Sequence, residues 1–215
     1  MGGVHYTRTG LLVEDFYNKK KESKIMTNSK FEKAKEDVRG ILAYVGEDVS
    51  REGLLDTPRR VVEMYEELTS GYALDPQAII EKAIFHEHTK EMVIVKNIPF
   101  YSLCEHHLAP FFGTATIGYL PSDGRVVGLS KLARVLDAYA RRLQVQERLG
   151  AQVADAFYTS ELNPDGVGVY INAEHLCMAM RGVQKPGTST TTVSIRGLFE
   201  SDQTVKDEWT RLALS

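Results

Sequence analysis

Two hydrophobic periods divide this chain. Phe31, Ala34, Val38, Ile41, Leu42 and Val45 recur every three or four residues, the spacing of one helical face, and Asn28 or Ser29 can cap that helix. Asp56-Thr57-Pro58 opens a second helix, because Thr57 is a natural cap and proline suits the first helical position. Val61, Val62, Met64, Tyr65 and Leu68 form its apolar side, and Gly71 ends it. Beyond residue 90 the pattern changes. Residues 92–95, 114–119, 166–172 and 190–198 are short, rich in β-branched side chains and bounded by turn formers, so they read as strands. Helical spacing returns over 129–143 and 147–158, and a last helix runs through Trp209. The fold class expected is α+β, with a helical subdomain over 29–90 and a second domain over 91–215. Residues 1–28 keep no period and read as a variable, mobile extension.

Charge and length narrow the function. A net charge of −3 predicts neither a nucleic-acid coat nor a membrane-surface protein, although a few clustered cations can still bind phosphate. No stretch is apolar enough to span a bilayer, and the N-terminal residues lack a secretory apolar core. Tyr6 stands where a myristoylation signal needs Ser or Thr. The setting expected is the reducing cytoplasm, where two distant cysteines are more often ligands or bystanders than a bridge.

Those two cysteines are the sharpest chemical signal. Cys104-Glu105-His106-His107 and His175-Leu176-Cys177 place three of the six histidines beside the only two thiols. Thiolate and imidazole are preferred zinc ligands, and a C-x-x-H spacing lets one turn offer both. Cys104, His107 and Cys177 would make three protein ligands, and three plus water is the catalytic arrangement, whereas structural sites close with four. Such a site lowers the pKa of water to about 7, and His106 and His175 beside it suit proton transfer near neutral pH. Residue chemistry alone leaves other outcomes open: inert buried thiols, a disulfide, or a closed site with Glu105 or His106 as fourth ligand. A nucleobase deaminase is a poor match, since its H-x-E and P-C-x-x-C pattern keeps the cysteines close together. His86-Glu87-His88 reads as an exposed turn.

A second group is cationic. Gly128-Leu129-Ser130-Lys131 precedes a helix carrying Arg134, with Ser130 as the expected cap and Lys131 and Arg134 sharing a face. A helix start with free amides, a hydroxyl and two cations suits phosphate, although a solvated basic face has the same sequence. Arg181 adds a cation four residues past Cys177, and Arg59 and Arg60 start an earlier helix. Residues 182–189 imitate a P-loop, but Thr188 replaces its lysine and no helix follows. Gln146 and Glu147 stand between two helices, where a carboxylate can take two parallel N–H bonds or serve as an ordinary helix start.

Together the stretches SLCEHHLAPFFG, VVGLSKLARVLDAYARRLQVQERL, INAEHLCMAMRGVQKPG and DTPRRV resemble the GTP cyclohydrolase I family over about residues 30–215. The resemblance implies a T-fold (tunnelling fold), with an antiparallel sheet and two helices on one face. It implies a homodecamer of two pentamers with active sites at subunit boundaries, and an open sheet edge, such as the 166–172 strand, covered by a neighbour. The reaction implied is hydrolysis of the imidazole ring of GTP at C8, release of formate and closure to 7,8-dihydroneopterin triphosphate. Matched position by position, Cys104, His107 and Cys177 hold Zn2+, while His106 and His175 handle protons. Gln146 and Glu147 bind the guanine end. Ser130, Lys131, Arg134 and Arg181 cradle the triphosphate, joined by Arg60 from an adjacent subunit. Residues 1–28 have no counterpart in these motifs, and the Thr-rich stretch 188–193 departs from the family pattern.

Overall fold

A computed structural model describes residues 28–215, so the expected extension lies outside the described residues except for Asn28. Two compact units part between Glu66 and Glu67. The first contains a helix over 28–44, here α1, and most of α2, Thr57–Leu68. Both helices stand where the apolar spacing and the Thr57-Pro58 start placed them.

The second unit is built on a sheet. In chain order it carries α3 (Pro76–Glu81), β1 (Ile84–His86), β2 (Val93–Cys104), β3 (Pro110–Leu120), β4 (Arg125–Val127) and α4 (Ser130–Ala140). Then come β5 (Leu143–Gln144), α5 (Gln146–Tyr158), β6 (Gly166–His175), α6 (Leu176–Ala179), β7 (Ser189–Gly197), α7 (Leu198–Ser201) and α8 (Gln203–Leu214). The five-stranded order is β5-β2-β3-β6-β7. Its four long strands are antiparallel, and β5 adds a two-residue parallel pairing to β2. β1 and β4 form a separate antiparallel ribbon, tied to the sheet where Val127 N–H donates to the Tyr119 hydroxyl at 3.0 Å. The architecture is α+β. One expectation fails: β6 is paired on both sides, by β3 and β7, so the 166–172 strand is interior and β7 is the edge.

β2 outruns its sequence signal, which stopped at Val95. Lys96 and Asn97 form a bulge, Asn97 adopts φ 55°, and pairing with β3 resumes at Ile98. Turn formers inside a strand hide it from pattern reading. The bulge also reverses the alternation. Val93 and Val95 face the main core before it, and Ile98, Phe100 and Cys104 do so after it. Pro99 is tolerated because β2 is paired on one side only at that point.

α4 and α5 cover one face of the sheet. Leu132, Val135, Leu136, Leu149 and Val153 pack there with Ile117, Tyr119, Val169 and Ile171. The opposite face is covered by Phe199 and Trp209, against Ile94, Leu120, Tyr170 and Ile195. Glycines make room for them: a Cβ on Gly118 would meet the indole at 2.6 Å, and one on Gly168 at 2.5 Å. Asp202 caps α8 by accepting from Thr204 N–H at 2.8 Å and Val205 N–H at 3.1 Å.

Candidate metal centre and surrounding site

β2 and β6 are both antiparallel to β3, so they run the same way and finish at the same end of the sheet. Ser102 pairs with Phe111, and Phe111 with His175. Cys104 and Cys177 each follow that cross-strand row by two residues, which brings together thiols far apart in sequence. Ligand atoms of Cys104, His107 and Cys177 all lie within 4.8 Å of one another. Cys104 Sγ is 3.8 Å from His107 Nδ1. Two such donors on a tetrahedral zinc stand about 3.6 Å apart, so the donor set and its spacing fit the ion.

The local chain explains the convergence. Cys104 N–H donates to Ala109 O at 2.8 Å, Leu108 N–H returns to Cys104 O at 2.9 Å, and Leu108 takes φ 52°. This tight turn puts His106 and His107 over the end of β2, with His106 Nδ1 3.9 Å from Cys104 Sγ. Both thiols are free in this structure. Burial first, and then the neighbouring Cys104, push the Cys177 thiol above its usual range, while Arg181 pulls it down. Two crowded thiols resist ionising together, and a bound divalent cation reverses that preference.

The residues around the cluster are tied down. Arg148 forms an ion pair with Glu105 and donates to Gln144 Oε1 at 3.1 Å and Leu143 O at 3.2 Å. Glu105 N–H also donates to Gln144 O at 3.0 Å. Arg148 holds the Glu105 carboxyl below the ordinary range. Occupied in this way, Glu105 is a weak candidate for a fourth metal ligand. His175 stacks on Phe111 at 4.6 Å between ring centroids, with the planes 2° apart. Burial lowers its pKa, and Glu147 partly opposes that. Sequence reading missed Phe111, Arg148 and Glu105 as supports, since nothing in their spacing marks a long-range contact.

Gln146 and Glu147 begin α5, whose start has no side-chain cap. Glu147 is exposed and shares a cavity of about 200 Å³ with Gln146, His175, Cys177, Met178 and Thr190. The side chain of Gln146 is turned inward, 1% exposed. Its amide donates to Ile171 O at 3.2 Å, Thr190 O at 2.9 Å and Thr192 Oγ1 at 3.2 Å, and its Oε1 is 2.8 Å from His175 Nε2.

The cationic residues of α4 lie elsewhere on this chain. Ser102 Oγ donates to Ala140 O at 2.6 Å, so the end of α4 meets the cysteine end of the sheet. Its start follows β4, toward Tyr119, and at about 1.5 Å of rise per residue Ser130 and Lys131 stand about 14–15 Å from Ala140 along the axis, with Arg134 about 9 Å away, near the middle of the helix. Ser130 is the first helical residue rather than the cap, and no side chain caps α4. The expected free amides are partly used, since Lys131 N–H donates to Gly128 O at 2.8 Å and Leu132 N–H to Leu129 O at 3.2 Å. The Ser130 hydroxyl and the Arg134 guanidinium remain exposed. Arg181 is exposed just past α6, and Arg60, in the first unit, is 3.5 Å from Asp56.

Comparison with known proteins follows the same lines. A family model described as GTP cyclohydrolase I matches residues 34–213. A curated relative from Brevibacillus brevis named GTP cyclohydrolase 1 is 52% identical over 183 residues, covering 85% of this chain and 97% of the relative. One of the same name from Mycolicibacterium vanbaalenii is 53% identical over 189 residues, 86% of this chain and 93% of the relative. Another, from Streptococcus pyogenes, is 50% identical over 188 residues, 87% and 95% respectively.

Proposed function

The chain belongs to the GTP cyclohydrolase I family and is an enzyme of that activity; from this premise we propose that it is zinc-dependent and opens the imidazole ring of GTP at C8. That carbon leaves as formate, and after rearrangement of the ribose its C1′ and C2′ enter a new six-membered ring to give 7,8-dihydroneopterin triphosphate, an entry to pterin and folate synthesis. The observation that carries the zinc reading is the convergence of Cys104, His107 and Cys177 within 4.8 Å from two distant parts of the chain. These three residues would hold zinc, which when bound supplies Lewis acidity for activating water near neutral pH.

The remaining work falls to side chains. His175, stacked on Phe111, and His106, on the turn beside Cys104, give and take protons as the ring opens. Glu147 accepts the N1–H and 2-amino hydrogens of guanine, supported by its exposed place in the cavity shared with His175. Lys131, Arg134, Ser130 and Arg181 bind the triphosphate, with Arg60 reaching in from another subunit. The direction of α4 supports sites at subunit boundaries. Ser130 and Lys131 begin that helix while its far end meets the metal-bearing end of the sheet, which supports a neighbouring copy completing the site. An oligomer of this kind, a decamer of two pentamers with the T-fold at its core, would also cover the open β7 edge. We place the enzyme in the cytoplasm, where thiol ligands stay reduced. Among the described residues no helix is long and apolar enough to cross a membrane.

The test is incubation of the zinc-loaded protein with GTP, following formate and, after oxidation, a fluorescent pterin. Both are expected in equal amounts. Zinc-replete protein that forms neither overturns the reaction, and full turnover after metal removal overturns the zinc dependence.

A further inference from the structure

We infer that Gln146 is a positioning residue that fixes which nitrogen of His175 carries the proton, and not a contact to the guanine base. This rests on the reading of His175 as a proton-transfer group. The orientation of the Gln146 amide follows from its partners. Its Nε2 faces two main-chain carbonyls, Ile171 O at 3.2 Å and Thr190 O at 2.9 Å, and carbonyls only accept. Turning the amide over would set oxygen against oxygen twice in a buried place, so Oε1 must be the atom facing His175. An amide oxygen also only accepts. The nitrogen 2.8 Å away, His175 Nε2, therefore carries a hydrogen and donates it.

The imidazole cannot evade this by rotating. A half-turn would put a carbon at 2.8 Å from the oxygen, and the ring is held parallel to Phe111 with 2° between the planes. Nε2 keeps its hydrogen, and Nδ1 is the nitrogen whose lone pair these contacts leave uncommitted. Because the amide is anchored to β6 and β7 and the residue begins α5, one side chain aligns the ring against three elements. At 1% exposed, with its amide hydrogens committed to Ile171 O, Thr190 O and Thr192 Oγ1, the Gln146 side chain keeps no donor free for a ligand.

The experiment is a long-range proton–nitrogen NMR correlation on zinc-loaded protein with 15N-labelled histidine, His175 being assigned from the signal lost in His175→Asn. The expected result is the Nε2–H tautomer; an Nδ1–H ring in the unsubstituted protein overturns the inference. Gln146→Met keeps the length without an acceptor and should mix the tautomers. It should lower kcat about 100-fold, with KM within about threefold and zinc content unchanged. A Gln146→Met enzyme with unchanged kcat and raised KM would overturn the inference in favour of a substrate contact. Should Gln146→Met not fold, the spectrum of the unsubstituted protein decides alone. Failure of the unsubstituted enzyme to act on GTP would defeat the proposed activity, leaving the tautomer to be judged on that spectrum.

Discussion

Near one end of the sheet, Glu87, Glu91, Leu120, Asp123 and Asp165 line a cavity of about 890 Å³; near the other, Gln146, Glu147, His175 and Cys177 line one of about 200 Å³. The larger space is walled by loops whose acidic groups are mostly solvated. Asp123, for example, has a side chain 81% exposed and meets only Arg125, at 3.2 Å. At the smaller one, β2, β6, α4 and α5 all bring an end to the same place, and thiol, imidazole and amide groups meet across them. Volume therefore does not mark the chemistry here. Convergence of donors on rigid elements does, because a metal and a proton relay need atoms held to fractions of an ångström.

This contrast can be broken or sharpened by substitution. The largest effect should come from Cys104→Ser or Cys177→Ser: zinc lost on dialysis, and turnover down by about 1,000-fold or more. Metal analysis alongside a GTP assay checks both, and a zinc-free variant that stays active would break the link. Trp209→Ala, on the opposite face of the sheet, should cost about 3–5 kcal/mol of stability in denaturant unfolding while leaving zinc binding intact. Loss of metal at full stability would show that the two faces are coupled otherwise. His106→Ala should keep its zinc and lose about 100-fold in kcat. Glu147→Ala should lower kcat/KM for GTP by about 2 kcal/mol and narrow the preference over ITP, which lacks the 2-amino group. At the large cavity, Asp123→Asn should change stability by less than about 0.5 kcal/mol and activity not at all. A large loss of activity there would overturn the assignment of function to the small one.

Much of this was legible beforehand. Helical spacing located α1, α2 and α5 closely, and β-branched runs located β6 and β7, because each of those signals is local. The C-x-x-H turn was legible for the same reason. Limits appeared where a contact spans the chain. β2 was seen only as far as Val95, since Asn97 and Pro99 imitate a turn; α4 was drawn to Leu143, but the chain leaves the helix after Ala140 so that Gln144 can pair with Cys104. Ser130 was expected to cap α4 and instead begins it.

Residue types alone determined that two thiols and neighbouring imidazoles could bind zinc, and long ordered motifs determined the family. Those properties belong to the side chains and their order. Whether Cys104 faces the same side as His175 depended on one bulge, since a strand alternates every residue and a single insertion reverses everything after it. Whether Gln146 meets a ligand or a histidine depended on β6 and β7 presenting carbonyls to its amide. Only packing makes such choices, because a hydrogen bond between distant residues leaves no period in the chain.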